Sequence, residues 1–435
     1  MIAKTKHLQI KKGRGIHLPF RELPAPKYVY IPVDNTRSKL SELSVEEGQH
    51  VYIGTRLGQR HASFFDQPIF SSVSGTYVGK EKRLYRNNKV IEFLKIENDF
   101  KDEKDPACKG RSEEQMDQLN KEELAVLMKY FAGVGLGGSS FPNYIKLQTK
   151  AEIKMILVNG VECEPYMATD YLAIKEQSAE IIKGMKLLKR VFGCHDVRLC
   201  VKPIHPELKP IFEEELAKEP DSEVRFQFVK DYYPQGWEVA MIKEATGIEV
   251  LPGKLPMDYG VLDFNVSSVI QIYHAAKESL PIVDRYVCVQ GDAIKDPCIV
   301  KARVGTPFTE LIEAAGGYVE SDKPKMLILG GPMMGATVSD DTGVTTRTVT
   351  SLIVDYVQEY EEAPCIRCGS CVLSCPVHLR PVDIMNAMKV MPVDKDRVKA
   401  LTPLACMECG LCTYSCTSKI KILDYIRRAK IVAKL

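Results

Sequence analysis

The chain has 435 residues, and its 59 lysines and arginines nearly balance its 57 aspartates and glutamates, leaving a net charge of +2. A chain of this length is too long for a single hydrophobic core, and its charge balance gives no reason to expect nucleic-acid binding. No apolar run approaches the roughly 18 residues of a membrane span, and the N-terminus lacks the apolar segment of a secretion signal. The sequence therefore predicts a cytosolic protein that meets a membrane only through its partners.

The first hundred residues are predicted to form β-structure, because short segments rich in β-branched and aromatic residues alternate there with turn signals. These segments are Tyr28–Val33, Val51–Ile53 and Ile91–Ile96. Gly75 lies where a small barrel or sandwich would need a tight corner. A polar stretch from Glu97 to Glu123 follows, and we interpret it as a linker or surface excursion.

From about residue 121 helical and strand patterns alternate, which favours an α/β layer with a mostly parallel sheet. The predicted elements are the helices Leu124–Phe131, Ile174–Phe192 and Pro206–Leu216 and the strands Lys154–Val158 and Val197–Val201. Short strands return near residue 280, with predicted elements at Arg285–Gln290, Pro307–Ala315 (a helix) and Lys325–Leu329. Beyond Cys365 the spacing of apolar residues predicts helices at Val382–Val390 and Ile422–Val432.

Eight of the fourteen cysteines form two runs with the spacing C-x2-C-x2-C-x3-C. In two-cluster ferredoxins the first three thiolates of a run hold one [4Fe-4S] cluster, and the fourth ligates the other cluster. The pattern therefore assigns one cluster to Cys365, Cys368, Cys371 and Cys416, and the other to Cys406, Cys409, Cys412 and Cys375. Zinc is the disfavoured alternative, because it usually takes one four-ligand set with a longer intervening loop.

A proline follows the first cysteine run, but Thr417 follows the second, where a proline is usual. Because that proline supplies no ligand, we expect little loss of cluster binding. The remaining six cysteines are scattered along the chain and are interpreted mostly as buried thiols.

A glycine-rich segment, Gly133-Val-Gly135-Leu-Gly137-Gly138-Ser-Ser-Phe141-Pro142, follows the first predicted helix of the α/β region. Its backbone can approach a phosphate or a planar ring closely, although alone it is equally typical of a flexible turn. The strand ending at Val158 then runs into Asn159-Gly-Val-Glu162-Cys-Glu164-Pro-Tyr, at the sheet edge where open α/β sheets bind ligands. Two later segments, Tyr233–Glu238 and Val261–Asn265, also place polar residues in loops.

These motifs, together with Gly330-Gly-Pro-Met-Met-Gly335 and the two cysteine runs, resemble in residues and order the RnfC family of the Rnf electron transport complex. That family is related to the NADH-oxidising flavoprotein subunit of respiratory complex I. The resemblance covers roughly residues 120–430, and Gly13-Arg-Gly-Ile-His17 is similar to the opening of the family.

The resemblance implies a role for ten residues. Gly135, Gly137, Gly138 and Phe141 would form the FMN phosphate loop and its nucleotide-facing aromatic, and Lys146, Asn159, Glu162 and Asn265 would contact the flavin. Glu164 and Glu238 would face the nicotinamide nucleotide. Val161 stands where the complex I pattern has an acid, and Trp237 stands where a small residue is expected. His17 and His378 are interpreted as structural or surface residues, and no general acid or base is expected.

The resemblance also implies a multidomain α/β fold. It comprises an N-terminal β barrel-sandwich domain (1–110), a Rossmann-like FMN/NADH-binding domain (111–279), a β-grasp, SLBB-like module (280–346) and a helical two-cluster ferredoxin domain (347–435). The implied function is electron transfer between NAD(H), FMN and two [4Fe-4S] clusters within a membrane-bound ferredoxin:NAD oxidoreductase that drives ion translocation. The implied partners are membrane subunits and a ferredoxin-like iron–sulfur subunit, with the chain peripheral on the cytoplasmic face of the membrane.

Two alternatives stay open at this stage. One is a soluble relative, such as a cobalamin reductase or the electron donor of an amino-acid reductase. The other is an electron relay that binds no nicotinamide itself, which Trp237 and Val161 favour.

Overall fold

A computed structural model describes residues 18–35, 38–62, 65–131, 133–138, 140–219, 223–251 and 253–434. The segment Gly13–His17, which is similar to the family's opening, lies outside these residues. Within the described ranges, no helix is both long and apolar enough to cross a membrane.

The N-terminal region is built from β-strands. They are β1 (Phe20–Glu22), β2 (Tyr28–Pro32), β3 (Lys39–Leu43), β4 (His50–Val51), β5 (Arg56–His61), β6 (Asp66–Phe70), β7 (Gly75–Leu84) and β8 (Val90–Asn98). One sheet has the order β2-β8-β7-β4 and the other β3-β5-β6, and their apolar faces share a core that includes Leu57 and Leu94. Gly75 has φ +150, and a Cβ there would lie 1.9 Å from the Glu97 carbonyl oxygen, so glycine permits the close approach of β7 to β8.

The polar stretch between residues 97 and 123 is partly helical. It contains α1 (Glu113–Gln118) and the start of α2 (Lys121–Tyr130). Ser112 and Asn120 cap these helices, and each is answered by a side chain three residues later in a capping box. Local hydrogen bonding therefore orders a segment whose charge pattern predicted a linker.

A four-stranded parallel sheet with the order β11-β10-β9-β12 forms the centre of the α/β region. Its strands are β9 (Met155–Asn159), β10 (Asp196–Val201), β11 (Val224–Phe228) and β12 (Val261–Asn265). The helices are α3 (Asn143–Leu147), α4 (Thr169–Glu176), α5 (Ser178–Phe192), α6 (Leu208–Ala217), α7 (Glu238–Thr246) and α8 (Val266–Glu278), with a 3-10 turn at Pro256–Tyr259. The single helix predicted over residues 174–192 is wrong, because Gln177 (φ −128, ψ 31) interrupts the helical path between α4 and α5.

The β-grasp module contains a six-stranded mixed sheet with the order β1-β14-β13-β17-β15-β16. Its elements are β13 (Asp284–Gln290), β14 (Cys298–Arg303), α9 (Phe308–Ala314), β15 (Lys325–Leu329), β16 (Ala336–Val338) and β17 (Ser351–Tyr356). This sheet draws β1 and β17 from outside residues 280–346, so it extends past the limits expected for the module.

The C-terminal region is helical, with α10 (Ser370–Leu373), α11 (Pro381–Lys389), α12 (Lys395–Ala400), α13 (Leu411–Tyr414), α14 (Ile422–Lys434) and a 3-10 turn at Pro403–Ala405. The one-turn helices α10 and α13 each follow a glycine with positive φ, Gly369 and Gly410. The Ser374 hydroxyl donates to the Ser415 hydroxyl over 2.8 Å. Since these serines occupy equivalent positions of the two runs, their contact implies a local twofold relation between the runs.

Candidate functional site

Two asparagines mark the switch point of the parallel sheet. The chain leaves β9 toward β10 on one side and returns to β12 on the other, so a crevice opens at the carboxyl ends of β9 and β12. Asn159 and Asn265 end these strands as paired neighbours in the ladder. The Asn159 amide donates to the Gly236 carbonyl over 3.0 Å, and Asn265 caps α8 by accepting from the Ser267 N–H. Both side chains are therefore held at the edge where such sheets bind ligands.

The glycine-rich loop closes over the same edge. The Gly135 N–H donates to the Phe141 carbonyl over 2.7 Å, so the chain between them forms a tight loop. Gly137 and Gly138 are exposed within it. A Cβ on Gly137 would lie 3.1 Å from Asn265 Cβ, which shows how closely the loop backbone approaches the switch point. An exposed glycine backbone beside two amide side chains suits a phosphate and a flavin, so these residues fit the expected FMN.

Lys146 adds a positive charge to the crevice. Its ammonium donates to the Asp263 carbonyl, lies 3.7 Å from a Glu238 carboxylate oxygen and sits 5.1 Å from the centre of the Phe264 ring. Burial raises the pKa of Asp263 to about 7, although Lys146 acts to lower it. Lys146 and Glu238 are thus brought together as the resemblance implies, with Glu238 beginning α7.

Glu162 lies behind the crevice beside a second acid, Asp170. Its carboxylate accepts from the Thr169 hydroxyl and the Tyr171 N–H. Asp170 accepts from the Asn265 amide over 2.7 Å, and burial together with the charge of Glu162 raises the pKa of Asp170 to about 7. Sequence reasoning missed Asp170, which no spacing rule connects to Asn265. Its position follows only from the packing of α4 against β12.

Glu164 points toward the β-grasp module. One carboxylate oxygen accepts from the Met333 N–H over 3.0 Å, and the other is buried with no hydrogen-bond partner among the described residues. Burial raises the pKa of Glu164 to about 7. A Cβ on Gly331 would lie 2.2 Å from the bound carboxylate oxygen, so the Gly330–Gly335 motif is shaped to receive this acid. Its expected contact with a nicotinamide stays a prediction.

Four thiols from both cysteine runs surround one small cavity. They are Cys375, Cys406, Cys409 and Cys412, and the rest of the lining is largely apolar. The Cys375 thiol receives the Leu379 N–H at 3.3 Å, and the Cys406 thiol receives the Glu408 N–H at 3.3 Å. Burial and the neighbouring thiols raise the pKa of Cys412 to about 12. A set of four convergent sulfurs with backbone N–H groups aimed at them fits a cubane cluster, and it matches the crossed assignment made from spacing.

The other four thiols lie nearer the surface. Cys365 and Cys368 are exposed, whereas Cys371 is buried and close enough to Cys416 for the two to interact electrostatically. The Ser370 hydroxyl lies 3.4 Å from Cys368 Sγ and is the main cause that lowers the pKa of this thiol to about 7. Thr417, which replaces the usual proline, places its hydroxyl 3.8 Å from the same sulfur.

The buried thiol set is joined directly to the crevice domain. Tyr233, which is fully buried, donates its hydroxyl to the Cys409 carbonyl over 2.7 Å. Tyr233, Cys409 and Leu411 form one apolar cluster, against which Cys163 and Met333 pack. Sequence reasoning noticed the Tyr-Pro-Gln-Gly motif without giving Tyr233 a role, and only the tertiary contact identifies it.

Four known families match successive parts of the chain. The RnfC barrel sandwich hybrid domain matches residues 3–101, and the Nuo51 FMN-binding domain matches residues 131–274. The SLBB domain matches residues 286–337, and the 4Fe-4S dicluster domain matches residues 364–420. The predicted four-part fold is confirmed, and FMN and two iron–sulfur clusters are supported as cofactors in place of zinc.

Whole-chain relatives extend this picture. The RnfC-type subunit of the Na(+)-translocating ferredoxin:NAD(+) oxidoreductase complex of Acetobacterium woodii is 32% identical, over 87% of this chain and 88% of that protein. The counterpart in the proton-translocating complex of Clostridium ljungdahlii is 30% identical, over 86% of this chain and 81% of that protein. Among solved structures, an NAD+-reducing [NiFe]-hydrogenase in the H2-reduced state has a TM-score of 0.51 and 13% identity, over 73% of this chain and 61% of that chain. The last likeness concerns the fold alone.

Proposed function

Because this chain belongs to the RnfC family of ion-translocating oxidoreductase subunits, we propose that it transfers electrons between NAD(H), FMN and two [4Fe-4S] clusters. The proposal places it within a membrane-bound ferredoxin:NAD oxidoreductase that drives ion translocation. Its partners would be the membrane subunits and a ferredoxin-like iron–sulfur subunit. The chain would lie peripherally on the cytoplasmic face.

The hydrogen bond from Tyr233 to the Cys409 carbonyl carries this proposal. It joins the domain with the switch-point crevice to the loop that holds three thiols of the buried set. A short, dry contact between the two cofactor sites is what electron transfer between them requires. Met333, from the β-grasp loop, seals the same junction, since its carbonyl would lie 3.0 Å from a Cβ on Gly410.

The residues of the crevice would bind and orient the flavin. Gly137 and Gly138 offer backbone to its phosphate, Lys146 offers a positive charge, and Asn159 and Asn265 offer amide groups. When bound, a flavin supplies the conversion between two-electron hydride chemistry and one-electron transfer. The chain itself therefore needs no general acid or base for this function.

The exposed thiol set would be the point of exchange with a partner. Cys365 and Cys368 are at the surface, and the neighbouring side chains Ile366 and Leu373 are 69% and 75% exposed. Apolar side chains around an accessible cluster suit transient docking of another electron carrier. The proposed order is thus crevice, buried set, exposed set, partner.

A second candidate function is an electron relay that binds no nicotinamide. The hydrogen bond from the Met333 N–H to Glu164 favours it, because that acid is already engaged by the chain. Trp237, the N-cap residue before α7, adds bulk beside Glu238.

Anaerobic titration of the purified chain with NADH tests both candidates. The proposal predicts release of FMN on denaturation and NADH-dependent bleaching of cluster absorbance. Bound flavin and clusters that dithionite bleaches but NADH does not would favour the relay. A preparation without flavin would contradict the proposal.

A further inference from the structure

A cavity of about 200 Å³ lies outside the crevice, where three parts of the chain meet. The N-terminal strands contribute Arg60 and Arg86, the glycine-rich loop contributes Gly138 and Ser140, and the segment before β17 contributes Arg347. The described residues that line it include these three arginines and no acidic side chain. The cavity is therefore strongly positive, in a chain whose overall charge is nearly balanced.

Arg60 is the unusual member of the set. Its side chain lies in β5 and the residue is only 4% exposed. Its Nε has no hydrogen-bond partner among the described residues, where no carboxylate lies within ion-pair distance of its guanidinium. Burial lowers the pKa of Arg60, and the more distant charge of Asp34 offsets this effect only in part. A buried cation without a paired counterion costs free energy, and proteins normally retain one only where something else neutralises it.

The two other arginines reinforce this charge. The charge of Arg60 acts on Arg347 and, together with burial, lowers the pKa of Arg347. Arg86 donates to the Thr348 hydroxyl over 3.1 Å, which holds its guanidinium at the cavity wall. Three guanidiniums that repel one another around a common space form a site with affinity for an oxyanion.

We propose that this cavity binds the phosphate groups of a ligand, with Arg60 as the principal contact and Arg86 and Arg347 beside it. Tyr85 and Phe131 also line it and provide aromatic surface for a nucleotide base. The site is separate from the flavin crevice, because Gly137 faces Asn265 whereas Gly138 and Ser140 line the cavity. The glycine-rich loop would thus be contacted by ligands on both sides. This inference goes beyond the proposed electron route.

The test uses the full chain loaded with flavin and clusters, so that bound FMN already fills the crevice. Thermal unfolding by circular dichroism and binding by calorimetry are measured with pyrophosphate, with ADP, and with KCl of matched ionic strength. We expect pyrophosphate to raise the unfolding temperature above the KCl value. A larger rise with ADP would identify a nucleotide as the ligand, and an equal rise would identify the phosphate groups alone.

Arg60→Met removes the buried charge and keeps a similar volume. We expect this variant to unfold no earlier than the native chain in KCl, because an uncompensated charge is lost, but to lose the pyrophosphate shift. Arg56→Met is the matched control, since Arg56 lies on the same strand, donates to Gln59 and does not line the cavity. It should retain the shift.

Arg86→Met keeps the proposal testable if Arg60→Met does not fold. Arg86 is partly exposed, and its loss should weaken pyrophosphate binding roughly tenfold or more. A native chain that gains no stability from pyrophosphate or ADP would overturn the proposal. So would an Arg60→Met or Arg86→Met variant that binds both ligands as the native chain does.

Discussion

The Tyr233 hydroxyl donates a 2.7 Å hydrogen bond to the carbonyl oxygen of Cys409, across the boundary between the α/β region and the helical cysteine region. Both residues are buried. The bond therefore fixes the distance between the switch-point crevice and the buried thiol set.

Tyr233→Phe should weaken this junction. The Cys409 carbonyl would be left buried without its partner, which costs about 1 to 3 kcal/mol. Denaturant unfolding followed through cluster absorbance should show the loss, and single-turnover reduction of the clusters by NADH should slow. Tyr414→Phe is the control, because Tyr414 is an exposed tyrosine of the same region. Equal behaviour of the two variants would contradict the structural role given to Tyr233.

Cys375→Ser and Cys416→Ser should remove different clusters. Because each fourth cysteine belongs to the opposite run, Cys375→Ser should remove the cluster of Cys406, Cys409 and Cys412. Cys416→Ser should instead remove the cluster of the first run. Each variant should lose about half of the iron, and electron paramagnetic resonance should show which cluster remains. Cys108→Ser should keep all of the iron. If Cys375→Ser lost the first-run cluster instead, the crossed assignment would be wrong.

Glu164 should make stability fall as the pH rises. Its pKa is raised to about 7 in the folded chain from an ordinary value of 4.5, so the folded chain binds more protons than the unfolded chain between these values. The free energy of unfolding should therefore decrease from about pH 5 to pH 7, by at most about 3 kcal/mol. Glu164→Gln stays neutral and should flatten that dependence. Denaturant melts at several pH values measure it, and an unchanged slope in the variant would count against this assignment.

Thr417→Val should lower the reduction potential of the exposed cluster. The Thr417 hydroxyl lies 3.8 Å from Cys368 Sγ, and a hydroxyl directed at a ligand sulfur stabilises the reduced, more negative cluster. A redox titration followed by electron paramagnetic resonance would report both clusters in one sample. The cluster of Cys406, Cys409 and Cys412 serves as the internal control and should not shift. A shift in both clusters, or in neither, would contradict the effect.

The domain limits of the chain were only partly predictable. The strands Tyr28–Pro32 and Lys325–Leu329 follow from local β-propensity, and the structure has both within a residue of their predicted limits. The membership of Phe20–Glu22 and Ser351–Tyr356 in the β-grasp sheet could not be predicted. Strand pairing over such separations depends on long-range packing, which local patterns do not encode.

The sequence by itself determined the cofactor chemistry, because thiolate ligands must recur at a spacing that a cubane can accept, and that spacing is local. The glycine-rich loop and the strand-end asparagines were also legible, since strand ends of a parallel sheet meet at one edge. Only the tertiary structure decided which residues join the sites. Asp170 on Asn265, Met333 on Glu164, Tyr233 on Cys409 and Arg347 near Arg60 are contacts between segments far apart in the chain. Such contacts arise from the packing of whole elements, so no short-range pattern records them.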